Sequence, residues 1–441
     1  MIRVVVFGIG KSSPYLIKKL QAYSSTHPLR ITLVDTNWSA LPTDCINHKN
    51  TEYLTLDIND IDAVSKLINH QDLIISMLPA VLHVSLAKLC LQHHKNLLTA
   101  SYVSEEMQQL HKKAQNKGLL FLNEMGVDPG LDHMSALKLI HSLKLKNAEI
   151  TNFYSHTGGL ISNFETNSWN YKFTWNPKNV ILAGAEGATY IKNQQKKSIS
   201  YSDVFKTIIS VCINNKSYES YPNRNSTSYA KKYDLNTIDT FYRGTLRHPE
   251  YCQAWQVFVE LGMTKDNNIL HFKNKTTRKD FLNHFLEKKD AVKKTFSSVL
   301  DIEKGSSIFK KFELLQFFND AKYLTLENGT AADILLSILK EEWQMQPNDK
   351  DLLLMQHEIH YKMNGKKYIS KSELSVIGEN QQYTAMAKTV GAPMFEAAIL
   401  MLNNQIKATG VHIPTTPSIY EPILNGLKKH DLEFLETTEV A

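Results

Sequence analysis

The sequence predicts an α/β protein: a doubly wound parallel sheet, followed by an α+β domain with a helical insertion. Short apolar runs alternate with stretches of helical spacing up to residue 122. Turn-forming polar runs follow three of these apolar runs, and Phe, Leu and Lys recur at helical spacing between Lys265 and Glu342. Alternating strands and helices are typical of a parallel sheet covered by helices on both faces, with right-handed connections.

Six strands are expected in the first part of the chain. They lie at Ile2–Phe7, Ile31–Val34, Tyr53–Leu56, Leu73–Met77, Leu97–Thr99 and Leu119–Leu122. Leucines and isoleucines at helical spacing separate them, for example Leu82, Leu86 and Leu89. We therefore expect each strand to be followed by a helix that packs on the sheet.

A glycine-containing turn, Gly8-Ile9-Gly10-Lys11-Ser12-Ser13, follows the first strand. It has two glycines of the G-x-G-x-x-G dinucleotide motif and Ser13 in place of the third. Gly8 permits a tight turn, and Gly10 lets the backbone approach a pyrophosphate that faces the amides of the next helix. The position of this turn at the start of a βαβ unit favours a Rossmann-like dinucleotide domain over a plain strand–turn–helix.

Asp35 ends the second predicted strand, 22 residues after Ser13. A carboxylate at this position accepts hydrogen bonds from ribose hydroxyls and repels a 2′-phosphate. Its neighbours Thr36, Asn37 and Trp38 include no cation. We therefore predict NAD as the preferred cofactor, with NADP possible; a turn or capping role is the alternative for Asp35.

Polar runs follow three successive strands. They are Ser76-Met77-Leu78-Pro79, Ser101-Tyr102-Val103-Ser104 and Asn123-Glu124-Met125-Gly126-Val127-Asp128-Pro129-Gly130. The carboxyl ends of parallel strands meet at one edge, where ligands bind. An active site at this edge is the leading hypothesis.

Length and composition limit the remaining possibilities. A chain of 441 residues is expected to form two or three domains, and 42% hydrophobic residues are typical of a globular protein. No apolar run approaches the roughly 20 residues of a membrane span. Four scattered cysteines predict a reduced, cytoplasmic protein without structural zinc. The net charge of +6 is not concentrated on one element, which argues against nucleic-acid binding.

The rest of the chain predicts a second sheet and further helices. Helices are expected at Met134–Leu143, Ala385–Asn403 and Ile419–Leu427, and strands at Ala148–His156 and Gly410–Pro414. A turn or a close-approach loop is expected at Thr157-Gly158-Gly159-Leu160, and a hairpin around Asn364-Gly365. The segment Tyr171–Trp175 is either the lining of a cleft or a core strand.

A metal site at His357-Glu358-Ile359-His360 is not expected. The spacing differs from H-E-x-x-H, and on a strand His357 and His360 would point to opposite faces.

The chain resembles the saccharopine dehydrogenases of the L-glutamate-forming type. The resemblance covers nearly the whole chain and is carried by Thr99–Ser104, Asn123–His133, Tyr171–Trp175, Tyr221–Arg224, Arg243–Arg247, Gln356–Glu358 and Tyr383–Gly391. The Ser-Tyr-Val-Ser, Asp-Pro-Gly and Arg-Gly-Thr-Leu-Arg runs are specific.

The resemblance implies a homodimer with three structural parts. These are a dinucleotide-binding domain, 1–130, completed by about 385–441; a substrate-binding and dimerisation domain, 131–264 and 343–384; and a helical subdomain, 265–342. It also implies a substrate, saccharopine or its parts glutamate and 2-aminoadipate 6-semialdehyde. Charge distribution and the lack of a long apolar run, rather than the resemblance, predict no nucleic-acid or membrane partner.

The resemblance further implies two sets of ligand contacts. Substrate contacts fall on Ser101, Tyr102, Asp128, Arg224, Thr245, Leu246 and Arg247. Cofactor contacts fall on Gly8, Gly10, Lys11, Ser12, Ser13, Asp35, Asp57, Ser76, Met77, Val127, Asp128, Gly130, Leu131, Asp132, His133 and Trp175.

Two positions depart from the family pattern. Many members carry cysteine where this chain has Thr157, so no acid–base role of that cysteine transfers. Fungal members tend to place an arginine near the position of Asp35, which strengthens the NAD prediction.

Saccharopine carries three carboxylates and one secondary amine. Its binding therefore calls for cationic side chains, and its oxidation for a proton acceptor. Guanidinium groups bind carboxylates bidentately, and Arg224 and Arg247, with Arg243 in reserve, are the candidates. Asp128 and Tyr102 are the catalytic candidates, and the general base stays open among Asp128, Tyr102, His133 and water. The alternatives are a dehydrogenase for a related adduct such as carboxynorspermidine, or a non-catalytic dinucleotide sensor.

Overall fold

The computed structural model describes residues 1–162, 167–286, 296–298 and 300–441. The chain divides into two compact units. Unit 1 comprises Met1–Glu149 and Leu374–Thr438, and unit 2 comprises Ile150–Glu373 and Glu439–Ala441. Unit 1 includes a helix, Leu131–Leu145, that follows the predicted domain boundary at residue 130.

Unit 1 is built on a seven-stranded parallel sheet with the order β17-β6-β5-β4-β1-β2-β3. The strands are β1 Ile2–Phe7, β2 Leu29–Asp35, β3 Thr51–Thr55, β4 Leu73–Ser76, β5 Asn96–Thr99, β6 Leu120–Leu122 and β17 Gly410–His412. All six predicted strands are confirmed. The seventh comes from the C-terminal part of the chain and pairs with β6.

Helices cover this sheet. They are α1 Pro14–Ser24, α2 Ile61–Asn69, α3 His83–Gln92, α4 Glu105–Gln109, α5 His111–Asn116 and α6 Leu131–Leu145, with the C-terminal α14 Ala385–Leu402 and α15 Pro417–Leu427. Single 3-10 turns lie at Thr43–Cys45, Ala80–Leu82 and Lys428–His430. The order of the strands reverses between β1 and β4, which places a ligand crevice at the carboxyl ends of these two strands.

Helix α14 is long and apolar enough to cross a membrane, but 67% of this apolar stretch is buried within the protein. It packs on α1, and a Cβ atom at Gly391 would lie 2.6 Å from the backbone nitrogen of Leu16. Only glycine allows this approach. Because α14 is mostly buried and packs closely on α1, it is a core helix of unit 1.

Among the described residues, a second, mixed sheet has nine strands with the order β10-β11-β12-β7-β15-β16-β18, in which β8 pairs with β12 and β9. The strands are β7 Glu149–Ile161, β8 Ala188–Lys192, β9 Gln195–Ile199, β10 Ile209–Ile213, β11 Lys216–Pro222, β12 Thr240–Arg247, β15 Asp351–Met363, β16 Lys366–Ile377 and β18 Leu435–Val440. The hairpin at Asn364-Gly365 is confirmed.

The turn predicted at Thr157–Leu160 is wrong, because these residues continue strand β7. The close approach predicted there is present: a Cβ atom at Gly158 would lie 2.6 Å from the Leu246 backbone oxygen. Gly158 therefore allows a close approach to Leu246 of β12, and this segment does not reverse the chain.

The described part of unit 2 also contains helices and a small sheet. The helices are α7 Pro177–Ile181, α8 Tyr201–Val204, α9 Thr227–Lys232, α10 Tyr251–Leu261, α11 Arg278–Phe285, α12 Ser307–Leu314 and α13 Ala331–Glu342, and the small sheet pairs β13 Ile269–His271 with β14 Asn328–Thr330. Tyr171–Trp175 forms no strand. Tyr171 and Phe173, 1% and 2% exposed, join an aromatic core with Trp169, Trp255 and Trp343.

A buried histidine makes unit 2 sensitive to acid. His156 is 3% exposed, and its Nδ1 lies 2.8 Å from Ser220 Oγ. Burial lowers the pKa of His156 from 6.5 to about 4, and the Glu358 carboxylate opposes this shift. The unfolded chain therefore binds a proton as the pH falls below 6.5, whereas the folded chain does not until about pH 4.

We predict that His156→Gln reduces the loss of stability between pH 6.5 and pH 4.5. The stabilising contribution of neutral His156 is complete above pH 6.5 and is lost toward pH 4, by about 1.4 kcal/mol per pH unit. Urea unfolding followed by tryptophan fluorescence measures it, since four of the five tryptophans lie in unit 2. The exposed His284→Gln is the control, and equal pH slopes in both variants and the wild type would contradict the prediction.

Candidate active site

The turn after β1 has the shape that a dinucleotide needs. Gly8 has a φ of +93°, and a Cβ atom there would lie 2.8 Å from the Met77 carbonyl carbon. A Cβ atom at Gly10 would meet nothing within 4 Å, so the surrounding protein leaves room above this residue. Ser13 Oγ donates to Gly10 O at 2.8 Å and helix α1 begins at Pro14. The open turn and the helix N-terminus together fit a pyrophosphate.

Asp35 holds this turn to the end of β2. Its Oδ2 accepts a hydrogen bond from the Ile9 amide at 2.5 Å, and its Oδ1 accepts one from the Asn37 amide at 2.8 Å. The capping alternative considered for Asp35 is thus part of its role. Each carboxylate oxygen can accept a second hydrogen bond, so a ribose contact is compatible with this geometry.

The other residues implied as cofactor contacts differ in accessibility. Lys11 and Asp57 are exposed, Ser12, Met77 and Trp175 are half-buried, and Ser13, Ser76, Val127, Gly130, Leu131, Asp132 and His133 are buried. The Asp57 carboxylate accepts from the Asn59 amide at 2.9 Å and so holds a turn. Trp175 belongs to unit 2, where its indole donates to Tyr171 Oη at 3.3 Å.

Tyr102 and Asp128 meet at the strand ends of unit 1. The Tyr102 hydroxyl donates to Asp128 Oδ1 at 2.7 Å, and both residues are half-buried. Tyr102 follows β5 and Asp128 follows β6. The structure therefore brings together the two residues predicted to be catalytic, as a phenol and a carboxylate that can share and pass a proton.

Backbone hydrogen bonds join the two loops that carry this pair. The Glu124 amide donates to Ser101 O and the Met125 amide to Thr99 O, both at 3.1 Å. The Glu124 carboxylate accepts from the Val103 amide at 3.1 Å. These bonds fix the loop after β6 against the loop after β5, and so place Asp128 beside Tyr102.

His133, a candidate base, is fully buried and lies between two carboxylates. Its Nε2 is 2.8 Å from Glu124 Oε2 and its Nδ1 is 3.4 Å from Asp132 Oδ2. Asp132 in turn accepts from the Gly130 amide at 2.7 Å. Both ring nitrogens of His133 already face protein carboxylates, so this arrangement favours Asp128 and Tyr102 as the acid–base pair.

In unit 2, Arg247 is a buried cation surrounded by tyrosines. It is 3% exposed, and its guanidinium carbon lies 5.0, 5.5 and 5.2 Å from the ring centres of Tyr171, Tyr221 and Tyr251. Burial raises the pKa of all three phenols, and the charge of Arg247 opposes the shift. The tyrosines are therefore neutral at physiological pH and do not balance the charge.

The hydrogen bonds of Arg247 leave part of its guanidinium group without a partner. Nη1 donates to Leu246 O at 2.8 Å and Nη2 contacts Tyr221 Oη at 3.4 Å. Among the described residues, Nε has no hydrogen-bond partner, and the side chains that act electrostatically on Arg247 are tyrosines and Cys252 rather than a carboxylate. A buried cation without an anion is costly, although the aromatic rings offset part of the cost. The arrangement suits an anionic ligand.

The other residues implied as substrate contacts in unit 2 lie in different surroundings. Arg224 is exposed, has a φ of +48°, and lies 3.9 Å from the exposed carboxylate of Glu186. Thr245 alternates with Arg243 and Arg247 on one face of β12. Leu246 points to the other face and is buried against Leu160 and Leu354, so its side chain is placed for packing.

Thr157 lies opposite Thr245 in the β7–β12 pairing. Its hydroxyl is buried and has no hydrogen-bond partner among the residues that the structure describes. A threonine at this position can donate or accept one hydrogen bond, but it cannot supply the thiol chemistry of cysteine.

The two strand histidines lie on opposite faces of β15, as predicted. His357 is fully buried with Nδ1 3.1 Å from Ser155 Oγ, and His360 contacts the Glu358 carboxylate at 2.7 Å. In the described part of the chain, no group of three or more His, Cys, Asp or Glu residues is arranged to hold a metal ion.

Sequence reasoning missed His83, the first residue of α3. Its ring lies between Ser76, at the end of β4, and Ser101, after β5. A histidine in the first turn after the Ser76–Pro79 run was the available signal, but a lone histidine on a helix is more often a core residue.

Two family models match the chain. "Saccharopine dehydrogenase NADP binding domain" matches residues 4–122, and "Saccharopine dehydrogenase C-terminal domain" matches residues 126–432. Together they cover both units. The first name contains NADP and does not support the NAD preference predicted from Asp35.

Curated relatives carry related names. A Saccharomyces cerevisiae protein named saccharopine dehydrogenase [NADP(+), L-glutamate-forming] is 30% identical over 396 residues, 87% of this chain and 88% of the relative. An Arabidopsis thaliana alpha-aminoadipic semialdehyde synthase is 29% identical over 88% of this chain, but the match spans only 39% of that longer protein. The fungal name, like the first family model, points to NADP.

Solved structures share the fold. The apo saccharopine dehydrogenase (L-Glu forming) of Saccharomyces cerevisiae superposes over 100% of both chains, with a TM-score of 0.89 and 28% identity. A homospermidine synthase from Legionella pneumophila gives a TM-score of 0.57 at 11% identity, which shows the fold alone.

Proposed function

Because the chain belongs to the saccharopine dehydrogenase family, we propose that it interconverts saccharopine with L-glutamate and 2-aminoadipate 6-semialdehyde in lysine metabolism. The cofactor is a nicotinamide dinucleotide, held by the open turn Gly8–Ser13 and by Asp35 in unit 1. The bound dinucleotide supplies the hydride acceptor of the oxidation.

The proposed oxidation moves one hydride and one proton away from the substrate. The carbon next to the secondary amine loses the hydride and the nitrogen loses a proton, which gives an imine. Water adds to the imine carbon, and the carbinolamine breaks its C–N bond to release glutamate and the semialdehyde. Asp128 accepts the proton from nitrogen, and the Tyr102 hydroxyl, hydrogen-bonded to Asp128, orients the carboxylate and the attacking water.

The buried guanidinium of Arg247 is the observation that supports a substrate with several carboxylates. Its partly unpartnered guanidinium, without a carboxylate among the described residues, fits one of the three carboxylates of saccharopine. Arg224, with its exposed side chain, supplies a second cation. A polyamine-derived adduct carries more cations and fewer carboxylates, and would require acidic residues in these places.

The direct test is oxidation of saccharopine by the purified protein with NAD+ and, separately, NADP+. We expect saccharopine-dependent absorbance at 340 nm, and in reverse we expect consumption of the reduced cofactor with glutamate but not with a polyamine. Turnover with a polyamine adduct alone would favour the carboxynorspermidine-type alternative. Tight dinucleotide binding without turnover of any adduct would favour the sensor.

We predict that Arg247→Lys raises the KM for saccharopine by roughly 30–150-fold. Lysine keeps the charge but loses the bidentate fork, and such a contact contributes about 2–3 kcal/mol. Arg224→Ala should likewise raise this KM far more than it changes dinucleotide affinity. Steady-state kinetics and cofactor titration measure the two effects.

Lys206→Ala is the matched control, because it removes an exposed cation of unit 2 that pairs with Glu260 at 2.8 Å. Its KM should equal that of the wild type. An unchanged KM in both arginine variants would remove these residues from the substrate site.

NAD is the dinucleotide that we propose this chain prefers, although the names of its relatives point to NADP. The support is local: the Asp35 carboxylate sits at the end of β2, and Thr36, Asn37 and Trp38 beside it offer no cation for a 2′-phosphate.

We predict that Asp35→Ser lowers kcat/KM for NAD+ and raises kcat/KM for NADP+. Removing the carboxylate removes both a ribose acceptor and the repulsion of a 2′-phosphate. Initial rates with each dinucleotide at saturating saccharopine measure the ratio. A wild-type enzyme that already prefers NADP+ would refute the role given to Asp35.

We also propose a homodimer in the cytoplasm that acts without nucleic-acid or membrane partners. The resemblance to the family supports the dimer, and the exposed edge strand β18, with Leu435 65% and Val440 69% exposed, offers one surface for it. All four cysteines are free, as is usual in a reducing compartment.

A further inference from the structure

His83 joins the strand ends that carry Ser76 and Ser101. Its Nδ1 lies 2.9 Å from Ser76 Oγ, and its Nε2 lies 2.8 Å from Ser101 Oγ. Thr99 Oγ1 is a further neighbour, 3.1 Å from Nε2 and 3.5 Å from Nδ1. Within the part of the chain that the structure describes, these hydroxyls are the hydrogen-bond partners of the ring.

The ring is neutral. His83 is 4% exposed, and burial lowers its pKa to about 4. A neutral imidazole has one N–H donor and one acceptor nitrogen, so the two serine hydroxyls receive opposite roles. Either Ser76 donates and Ser101 accepts, or the reverse.

The burial of the hydroxyls selects between these two tautomers. Ser76 has no exposed surface, and His83 Nδ1 is its side-chain hydrogen-bond partner among the described residues. If Nδ1 carried the proton, the Ser76 hydroxyl hydrogen would be buried without an acceptor, which is costly. If Nδ1 accepts, Ser76 is satisfied and the proton lies on Nε2, to which Ser101 Oγ at 2.8 Å is a nearer acceptor than Thr99 Oγ1 at 3.1 Å.

With the proton on Nε2, the ring donates to Ser101 Oγ. Ser101 is half-buried, so its own hydroxyl hydrogen is left to point to a ligand at the strand ends. A carboxylate or other oxygen of the substrate is the matching acceptor, whereas an ammonium group is not.

We infer that His83 is a positioning residue, which through its Nε2–H fixes the Ser101 hydroxyl as a hydrogen-bond donor to a substrate carboxylate. This inference rests on the proposed function for the identity of the substrate, but not for the tautomer. His83 touches neither substrate nor cofactor in this account and acts through Ser101.

The tautomer is tested first, without substrate. In protein labelled with ¹⁵N-histidine, the His83 signals are identified by their loss in His83→Asn. We expect a neutral ring protonated at Nε2 from pH 8 to pH 5. Protonation at Nδ1, or titration near pH 6.5, would overturn the inference whatever the enzyme turns over.

A double-mutant cycle tests the action through Ser101. His83→Asn and Ser101→Ala should each lower kcat/KM for saccharopine by about tenfold, the loss of one hydrogen bond to a charged group. The double variant should be no slower than Ser101→Ala. His83→Gln, whose amide reaches toward the Nε2 position, should recover most of the loss, and thermal stability is recorded for every variant.

His93→Asn is the matched control. His93 lies at the other end of α3 and pairs with Ser65 Oγ at 2.6 Å, so its variant should keep the wild-type kcat/KM. Additive losses in the cycle would show a merely structural His83 and overturn the inference. A wild-type protein inactive with saccharopine would overturn the proposed function, and the tautomer measurement would still decide the state of His83.

Discussion

The buried imidazole of His133 between Glu124 and Asp132 is the interaction on which the proposed site of unit 1 depends. Its 2.8 Å contact with Glu124 ties the loop after β6 to the start of α6, and Asp132 lies 3.4 Å from its other ring nitrogen. The loop turns back on itself at Gly130, where φ is +141° and a Cβ atom would lie 2.3 Å from Gly126 O. Because buried polar groups are costly unless hydrogen-bonded, removing one member would leave a neighbour without its partner and loosen the loop.

This anchoring of the loop after β6 positions the proposed acid–base pair, Tyr102 and Asp128. Glu124 uses its second carboxylate oxygen to hold the Val103 amide, next to Tyr102. The Tyr102–Asp128 hydrogen bond of 2.7 Å therefore joins two loops that are already fixed. A carboxylate on a rigid loop loses little entropy when it accepts a proton from a bound amine, and positioning of this kind is a large part of catalysis.

The two units contribute different chemistry. Unit 1 has the features of a dinucleotide site and a phenol–carboxylate pair at its strand ends. Unit 2 has a buried guanidinium among neutral tyrosines. In the proposed reaction, the groups of unit 1 serve hydride and proton transfer, and the guanidinium of unit 2 serves the binding of a carboxylate.

Much of the fold was predictable because buried parallel strands read as continuous apolar runs. The six strands of unit 1 and the hairpin at Asn364-Gly365 follow from local pattern. The pairing of Gly410–His412 with β6 could not be read from pattern, since a three-residue strand far along the chain carries no information about its partner. Thr157–Leu160 was misread because glycines that permit close packing look like glycines that permit a turn.

Only part of the candidate site could be predicted from the sequence. The position of Tyr102 and Asp128 after successive strands indicated that they would meet, and they do. The family resemblance supplied Arg247, but its tyrosine surroundings come from three segments distant in sequence: Tyr171, Tyr221 and Tyr251. His83 was missed because its role depends on two hydroxyls, on Ser76 and Ser101, that only the folded sheet brings to one ring.

The central claim is that the Tyr102–Asp128 pair takes the proton from the substrate amine as hydride leaves. Rapid mixing of Asp128→Asn with saccharopine and saturating dinucleotide measures the hydride step directly. The account predicts a hydride-transfer rate at least about 100-fold below that of the wild type. A hydride rate within about threefold of the wild type would contradict it.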